Sequence, residues 1–500
     1  MQVFYLYQNR DFNLQQKLPW NNEALAQDLE LKTLFDTMAL GDEFLYEVAM
    51  KAIFSGLDND VDTIIYRQNI CKDCFKNPSI ARDIYAIAVE AIESRKNNWF
   101  GIFTSYPSSI LSGSIGMMEI YIGILKKLRA AADEHAGKFR SNGFTRFFEM
   151  IKMELSDEYF IEIQNHLTEL KFRDGILISA ELGKGSKGIN HILRKLDVKR
   201  KNWFERIFAK KEPWYTFSIH PRDESGVRAL SELKNEGINL VANALAQSCD
   251  HILGFFNTLH TELAFYIGCL NLQEQLLQMN EPISFPIPLP VHERKQSFKG
   301  LYEVCLSLSM KRKIVSNDAD ADNKNPVIIT GANQGGKSTF LRSIGVAQLM
   351  MQSGMFVSAE SFTANICDAI FTHFKREEDA TMKSGKFDEE LSRMNDITDH
   401  IKPNSMILFN ESFAATNERE GSEIARQIVT ALVEKNIKVF FVTHMYELAN
   451  GFYDTRREST LFLRAERQTD EKRTFKVIEG EPLETSYGID LYNKIFEQRL

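Results

Sequence analysis

Residues 327–339 read VIITGANQGGKST, and this stretch sets the architecture of the second half of the chain. A short run suited to a buried strand leads into a turn of the pattern G-x-x-x-x-G-K-[ST], and a helical period follows. Glycines in such a turn let backbone N–H groups converge on phosphate oxygens, and the next helix N-terminus adds positive potential. The lysine can reach the β- and γ-phosphates, and the following hydroxyl can ligate Mg²⁺. The stretch therefore predicts a nucleotide-binding loop made of Gly331, Gly335, Gly336, Lys337, Ser338 and Thr339.

Two further apolar runs, Met406–Phe409 and Val439–Val442, alternate with helical periods in the same half. This alternation is typical of an α/β domain with a largely parallel sheet. The first run ends in Asn410 and Glu411, and Glu411 is placed to polarise a water for in-line attack on a γ-phosphate. Asn410 keeps an acceptor oxygen for a Mg²⁺ shell but has no negative charge. The second run leads to His444, which can sense the γ-phosphate.

The first 280 residues have a different texture. They are rich in helix formers, and long stretches repeat apolar residues at helical spacing, which predicts long helices packed lengthwise. Pro282–Pro290 carries four of the 12 prolines of the chain, and proline resists helix. We therefore expect a helical domain over residues 1–290 and an α/β domain over residues 291–500. A polar, acidic loop is expected over Asn317–Asn325.

Length and composition limit the classes of protein that fit. At 500 residues there is room for two or three domains. With 44% hydrophobic and 26% charged residues, the chain is neither disordered, collagen-like nor a disulfide scaffold. No run approaches the roughly 18 apolar residues of a membrane helix, so no membrane span is expected. The N-terminus does not look like a secretory signal, and six cysteines are few for this size, which predicts a cytoplasmic protein.

The loop and its neighbours resemble a known family. TGANQGGKST at residues 330–339 is similar to the P-loop of MutS-type ATPases, in which T-G-x-N-x-G-G-K-S-T is distinctive. The likeness is specific over residues 300–490 and weaker over residues 60–280. Further elements agree in order, and they are Asn317-Asp318, Gln352–Ala359, Asn410 to Thr416, Thr443-His444 and Thr485–Ile489.

This resemblance implies an ABC-type P-loop NTPase domain, like MutS domain V, preceded by a mostly α-helical core and lever domain. It also implies that ATP and Mg²⁺ bind in composite sites near the interface of a homodimer, and that lever helices transmit the nucleotide state to a part that encircles DNA. By position, Asn410 and Glu411 take the Walker B roles, Ser338 and Asn410 are the metal ligands, and His444 takes the switch role. The phosphate- and metal-binding residues carried over are Asn333, Gly335, Gly336, Lys337 and Ser338.

The chain departs from the family pattern at two places. The Walker B aspartate of the family is Asn410 here. The signature that acts across the dimer, roughly G-x-S-T-F-M-x-E, is shortened to Ser384–Glu390 with no serine at the matching place, although Ser384 or Lys386 could substitute.

Mismatch-reading members of the family carry a Phe-x-Glu wedge in a separate N-terminal domain. Three such tripeptides start at Phe147, Phe160 and Phe387, two of them in helical periods and one in the shortened signature. Mismatch recognition of the usual kind is therefore not expected.

The best candidate for a DNA contact is the segment 184–211, which has ten basic and two acidic residues in a chain of net charge −8. Lysine and arginine neutralise phosphates and release counterions, which gives salt-dependent, sequence-independent binding. The segment lies where the family inserts its DNA clamp, so we expect a clamp-like insertion around residues 184–215. A solvated helix face, or a patch for an anionic membrane or a partner, is the alternative. The candidate residues are Lys184, Lys187, Arg194, Lys195, Lys199, Arg200 and Lys201.

Three hypotheses follow. The first is a MutS-like, DNA-associated ATPase in repair or recombination, which would be cytoplasmic and bound to the nucleoid. The second is a nucleotide-gated scaffold that grips a protein and hydrolyses ATP weakly or not at all, as Asn410 and the shortened signature suggest. The third, remote one is an SMC-like head, but no sustained heptad pattern of the required length is present.

Overall fold

The computed structural model describes residues 1–97, 106–173, 175–195, 215–220, 222–332, 334–376, 385–456, 458–467 and 473–483. The chain divides into two units. One comprises Met1–Val3, Arg82–Lys138 and Thr145–His260, and the other comprises Phe4–Ala81, Phe139–Phe144 and Thr261–Leu500. The predicted domain boundary near residue 290 stays a prediction.

Helices dominate the first 278 residues, as their apolar periodicity predicts. Local capping fixes several helix starts: the Asp42 carboxylate accepts hydrogen bonds from the N–H groups of Phe44 and Leu45 at 2.8 and 3.1 Å, which satisfies donors that have no partner within the helix. The helices are α1 (Asn22–Asp28), α2 (Leu31–Ala39), α3 (Glu43–Phe54), α4 (Val61–Lys76), α5 (Pro78–Asn97), α6 (Pro107–His135), α7 (Asn142–Glu154), α8 (Asp157–Leu170) and the 55-residue α9 (Glu224–Gln278).

A two-stranded hairpin lies between α8 and α9 in the sequence. Its strands, β1 (Leu177–Leu182) and β2 (Gly188–Arg194), pair antiparallel. The hairpin packs closely on α9. A Cβ atom added at Gly237 of this helix would clash with the side chain of Ile178 on β1. His191 Nδ1 lies 2.7 Å from a carboxylate oxygen of Glu236 on the same helix. The basic candidate segment therefore begins on this hairpin.

From residue 287 onward strands and helices mix, which confirms the predicted change of texture. A four-stranded sheet has the order β3-β7-β4-β5, and a six-stranded sheet has the order β12-β11-β6-β10-β9-β8. The strands are β3 (Ile287–Leu289), β4 (Gln296–Leu301), β5 (Asn317–Asp320), β6 (Val327–Thr330), β7 (Ser361–Asn365), β8 (Ile370–Phe374), β9 (Met406–Asn410), β10 (Lys438–Val442), β11 (Leu461–Arg467) and β12 (Arg473–Glu479). The helices are α10 (Val304–Met310), α11 (Lys337–Gln352), α12 (Lys386–His400), α13 (Glu418–Glu434) and α14 (Tyr446–Arg456).

The six-stranded sheet holds the three predicted apolar runs as neighbouring parallel strands. β10 pairs with β6 on one side and with β9 on the other. Because Val442 is opposite both Ile329 and Asn410, the carboxyl ends of the three strands lie in line. The loops that follow them therefore meet at one edge of the sheet, which is the usual place for a ligand in an open α/β sheet. Among the described strands of this six-stranded sheet, β11–β12 is the one antiparallel pair.

The C-terminal end of α11 is anchored to the segment that contains α3 and α4. The fully buried Arg67 donates from Nη1 to the carbonyl of Ser353 at 3.2 Å and from Nε to the carbonyl of Leu6 at 2.7 Å. The side-chain amide of Asn59 donates to the carbonyl of Gln352 at 2.9 Å. These bonds satisfy carbonyls at the end of α11, so the helix that follows the glycine-rich loop is fixed at its far end by helices of the N-terminal half.

One described helical stretch, Pro107–Lys138, is long and apolar enough to cross a membrane by length and composition. Half of its most apolar window is buried inside the protein, and a buried core helix passes the same test. The sequence-based expectation considered only uninterrupted apolar runs. This helix was not recognised because scattered polar residues interrupt its apolar sequence. The stretch is weak grounds for a membrane span.

Candidate nucleotide-binding site

The glycine-rich loop connects β6 to α11 at the carboxyl edge of the sheet. All four residues of β6 are buried, and α11 begins at Lys337. Gly331 has φ 118° and Gly336 has φ 91°, in the left-handed region that favours glycine. A Cβ atom at Gly331 would also lie 2.9 Å from the backbone nitrogen of Ala465 on β11. Strand packing and backbone conformation thus both require glycine at the start of the loop. The predicted phosphate contact Asn333 lies outside the described residues.

The Lys337 side chain folds back onto this loop. It is only 4% exposed, and its ammonium donates to the carbonyls of Gly331 and Ala332 at 2.7 and 2.9 Å. Burial lowers the pKa of Lys337, and the negative charge of Glu411 opposes that shift. Neutral carbonyls are weaker partners for an ammonium than charged phosphate oxygens. The lysine is therefore held at the loop by bonds that phosphate oxygens can replace.

Ser338, Asn410 and Glu411 meet beside the loop. The Ser338 hydroxyl donates to Oδ1 of Asn410 at 2.8 Å, so the two predicted metal ligands are in contact. Glu411 has φ 54°, and its N–H donates to the carbonyl of Val442 at 2.9 Å. The two neutral oxygens suit Mg²⁺ only as part of a shell, because this ion binds few protein ligands and takes substrate phosphates and waters besides. Within the described ranges, no group of three or more His, Cys, Asp or Glu side chains could hold a metal by itself.

His444 lies at the same edge. The N–H of Thr443 donates to the carbonyl of Ile329 at 3.0 Å, and its hydroxyl accepts from the N–H of Met445 at 3.0 Å. The first bond fixes Thr443 against β6, the strand that precedes the loop, and the second ties Met445 to Thr443, so the backbone is held on both sides of His444. The imidazole itself is exposed.

A cavity of about 670 Å³ adjoins the loop. Its volume suits a small organic ligand. Thr339 lines it, so this predicted residue faces the cavity rather than the end of β9. Sequence reasoning did not find the cavity, because its wall combines distant segments, and the lining residues include Leu306, Arg312, Gly336, Thr339, Phe340 and Phe475.

A buried polar cluster holds the segment after Glu411. The N–H of Phe413, which has φ 63°, donates to Oε2 of Glu390 at 2.8 Å. The Ser412 hydroxyl lies 2.7 Å from Nδ1 of His373, whose Nε2 lies 2.9 Å from the carbonyl of Glu390. Burial lowers the pKa of His373 to about 4, so its imidazole is neutral at pH 7, and burial raises the pKa of Glu390. The cluster links the start of α12 to the loop that carries Glu411.

Sequence reasoning missed this cluster. The one available signal was that Glu390 ends the shortened signature. The resemblance attached that motif to the partner subunit, whereas Glu390 bonds within its own chain. Ser384 lies outside the described residues, and Lys386 is the first residue of α12.

Replacing Glu390 with alanine is expected to lower the free energy of unfolding by about 1–3 kcal/mol, because the buried N–H of Phe413 loses its acceptor. Glu390→Gln keeps an acceptor oxygen and is expected to retain most of the stability. Urea unfolding measures both variants, with Asp388→Ala on the exposed side of α12 as the control. Equal losses in the glutamine and alanine variants would contradict this role for the hydrogen bond.

The described part of the basic candidate segment is exposed. Lys184 and Lys187 lie at the turn between β1 and β2, and all four described candidates are exposed to solvent. Lys195 forms an ion pair with Glu169 at 2.8 Å, and Nε of Arg194 donates to the Ser179 hydroxyl at 2.9 Å. The hairpin thus leaves the turn as its most accessible basic part. Lys199, Arg200 and Lys201 lie outside the described residues.

Comparison with known proteins identifies the family. The model of the MutS2 N-terminal domain matches residues 59–279, and that of MutS domain V matches residues 327–496. The chain belongs to the MutS family. The second match covers every candidate residue from Gly331 to His444, and the first covers the basic segment and the helical half from residue 59 onward.

Curated MutS relatives are moderately similar. The DNA mismatch repair protein MutS of Streptococcus mutans is 28% identical over 264 residues, which is 52% of this chain and 31% of the relative. That of Prochlorococcus marinus is 25% identical over 355 residues, 68% of this chain and 36% of the relative. That of Thermotoga maritima is 33% identical over 183 residues, 36% of this chain and 23% of the relative. The chain thus spans about a third or less of the length of these curated relatives.

The three Phe-x-Glu tripeptides singled out above lie in helices of this MutS-family chain, and a fourth, which starts at Phe409, runs from the end of β9 into the loop after it. Phe147 and Phe160 are buried in α7 and α8, and Phe387 is half-buried in α12. Phe409 is fully buried, so none of these described phenylalanines projects as an exposed wedge.

Proposed function

We propose that this member of the MutS family is an ABC-type P-loop ATPase that binds ATP and Mg²⁺ at residues 331–339 and couples hydrolysis to closure of a homodimer on DNA. The observation that carries the proposal is the meeting of Lys337, Ser338, Asn410 and Glu411 at the carboxyl ends of the parallel strands of one sheet. The family match supports it. The expected setting is the cytoplasm, in repair or recombination, and all six cysteines are free and buried, as suits a reducing compartment.

Nucleotide binding follows from the loop and its helix. The N–H groups at the start of α11 have no partners within the helix, and the helix dipole favours negative charge there. Lys337 exchanges the carbonyls of Gly331 and Ala332 for β- and γ-phosphate oxygens. The cavity lined by Thr339 and Phe475 has room for the rest of the nucleotide.

Hydrolysis is assigned to Glu411. Bound Mg²⁺ would neutralise charge on the phosphates. Ser338 and Asn410 would supply protein oxygens to its shell. Glu411, held by the bond of its N–H to Val442 and by the cluster around Ser412, orients a water for in-line attack and accepts its proton. His444, at the end of the neighbouring strand, contacts the γ-phosphate in the proposed complex.

Restoring an aspartate at position 410 tests the metal assignment. Asn410→Asp is expected to lower the Mg²⁺ concentration for half-maximal hydrolysis about tenfold, because a carboxylate attracts the ion more strongly than an amide. Steady-state hydrolysis over a Mg²⁺ series measures it. Asn417→Asp, at the exposed N-terminus of α13, adds the same charge away from the site as a control. An unchanged Mg²⁺ dependence for Asn410→Asp would contradict the assignment.

The basic hairpin turn is the proposed DNA contact. The double variant Lys184→Gln, Lys187→Gln is expected to bind duplex or branched DNA about tenfold more weakly. Its plot of log affinity against log salt is expected to be shallower by about two, one for each lost phosphate contact. Gel shifts over a salt series, with and without ATP, measure both, and Lys402→Gln, Lys435→Gln is the control. Absence of DNA binding by the wild type at low salt would contradict the DNA proposal.

A nucleotide-gated protein scaffold is the second candidate. Asn410 favours it, because a Walker B strand without an aspartate leaves the metal shell short of charge. Leu182 and Ile189 on the hairpin are exposed, with 82% and 45% of their surface accessible, and they would suit a protein partner. Measurable ATP turnover that falls in Glu411→Gln would exclude a scaffold that only binds nucleotide.

A further inference from the structure

A second cavity lies at the opposite edge of the six-stranded sheet. It has a volume of about 50 Å³ and adjoins Lys438 and Ser405, at the amino-terminal ends of β10 and β9. The glycine-rich loop follows the carboxyl ends of the same strands. None of the residues assigned to the nucleotide site lines this cavity.

Three positively charged side chains line the cavity. Arg294, Lys324 and Lys438 line it, and no carboxylate does among its described lining residues. In the described part of the chain, none of the three forms an ion pair. The carboxylate of Asp322 acts on Lys438 from outside the lining, and its Oδ1 accepts from the N–H of Gln296 at 2.9 Å.

Each of these cations donates to neutral oxygens instead. The Lys438 ammonium bonds the carbonyl of Lys295 at 3.2 Å, Oε1 of Gln296 at 3.0 Å and Oδ1 of Asn365 at 2.6 Å. Desolvation lowers the pKa of Lys438 to about 8, although Cys367 and Asp322 oppose the shift. An ammonium in this environment gains stability when an anion enters.

The Arg294 guanidinium bonds the side-chain oxygen of Asn436, and the Lys324 ammonium bonds the carbonyl of Glu458 at 2.5 Å. Arg294 is exposed and marks the solvent side of the cavity. Positive charge is thus present both at the mouth and at the inner wall.

Two buried donors here have no partner. The hydroxyl of Ser405, a residue that is 0% exposed and lines the cavity, forms no hydrogen bond, and neither does Nε2 of Gln296, which is 1% exposed and next to Lys438. A buried polar group without a partner costs about 1–3 kcal/mol, so each such group requires an explanation. An acceptor-rich ligand in the cavity would satisfy the hydroxyl of Ser405, which lines it.

We propose that this cavity binds a phosphate-sized oxyanion. Three cations and the unpartnered hydroxyl of Ser405 line it, and oxyanions accept several hydrogen bonds at once. One water needs roughly 10–15 Å³ of such space, so the volume suits an ion of a few heavy atoms. A nucleoside would not fit beside it. The proposal does not depend on the proposed ATPase function.

The test is isothermal titration of inorganic phosphate into the full chain carrying Lys337→Ala, which removes phosphate binding at the glycine-rich loop. We expect saturable binding that weakens about tenfold with Arg294→Gln at the mouth and about tenfold with Lys324→Gln. Lys438→Gln is expected to abolish detectable binding. Lys435→Gln, exposed on the neighbouring turn, is the matched control and should leave affinity unchanged.

Two outcomes would overturn the proposal. One is no saturable binding of phosphate in the Lys337→Ala background, which would mean that water alone fills the cavity. The other is equal phosphate affinity in Arg294→Gln, Lys324→Gln and the control Lys435→Gln, which would place the ion elsewhere. Adenosine monophosphate distinguishes a free oxyanion from the phosphate group of a nucleotide. If it does not compete with inorganic phosphate, the free oxyanion is supported, and if it competes fully, the argument from the size of the cavity is overturned. ATP binding by the wild type, measured separately, tests the ATPase proposal independently.

Discussion

Replacing Lys337 with alanine is expected to weaken ATP binding by about 100-fold or more. The lysine is the only side chain whose cation lies within the glycine-rich loop in the described structure, where it bonds the carbonyls of Gly331 and Ala332. Charge-assisted hydrogen bonds to phosphate oxygens are about twice as strong as neutral ones. Each factor of ten in affinity corresponds to about 1.4 kcal/mol, so the loss of two such bonds accounts for a change of this size. Titration with a fluorescent ATP analogue measures the dissociation constant.

The control for this variant is Lys299→Ala, which removes an exposed lysine from β4 in the same unit. Because Lys337 is 4% exposed, urea unfolding of the variant must show that the fold persists. Retention of wild-type affinity in a folded Lys337→Ala variant would contradict the assignment of the loop as the phosphate site.

Replacing Glu411 with glutamine is expected to slow ATP hydrolysis by about 10²–10³-fold while nucleotide affinity changes little. General-base catalysis contributes about 10²–10⁴ to a rate, and glutamine has no basic oxygen to accept the proton of the attacking water. The backbone of residue 411 is held by the carbonyl of Val442, so the variant should keep its geometry. Single-turnover hydrolysis at saturating ATP separates the chemical step from binding.

Glu447→Gln, on the first turn of α14 and exposed, provides the matched control. If Glu411→Gln bound ATP normally and hydrolysed it as fast as the control variant, another group would have to activate the water. Weakened binding in Glu411→Gln together with slow hydrolysis would instead indicate that its charge helps to hold the metal.

The strands around the site could be predicted from the sequence because their signals are local. Val327–Thr330, Met406–Phe409 and Val439–Val442 are continuous apolar runs, as expected for strands buried on both faces of a parallel sheet. All three are strands in adjacent positions. The glycine-rich turn follows the first of them, so the sequence alone indicated where the loop had to lie.

The four-stranded sheet could not be predicted in the same way. Pro282–Pro290 contains the edge strand β3, and proline is tolerated at edges because one side of such a strand needs no ladder bonds. The expectation of a loop over Asn317–Asn325 was wrong for residues 317–320, which form β5 against β4. Aspartate and asparagine have low strand propensity, so the local sequence does not predict a strand here. Pairing with β4 stabilises it instead.

The polar cluster behind Glu411 and the two cavities depend on contacts between distant segments. Phe413 and Glu390 are separated by 23 positions, and no spacing rule connects a strand end to a helix that precedes it. In the sequence, Lys438 simply precedes the apolar run Val439–Val442. Its charged environment arises from the turn at Arg294 and the segment at Lys324, which the sheets bring together.

Steady-state release of phosphate from ATP by the wild-type protein, compared with Lys337→Ala and Glu411→Gln purified in the same way, tests the proposed ATPase site. We predict Mg²⁺-dependent turnover by the wild type and a loss of at least about tenfold in both variants. Turnover by the wild type that does not exceed that of either variant would contradict ATP hydrolysis at this loop.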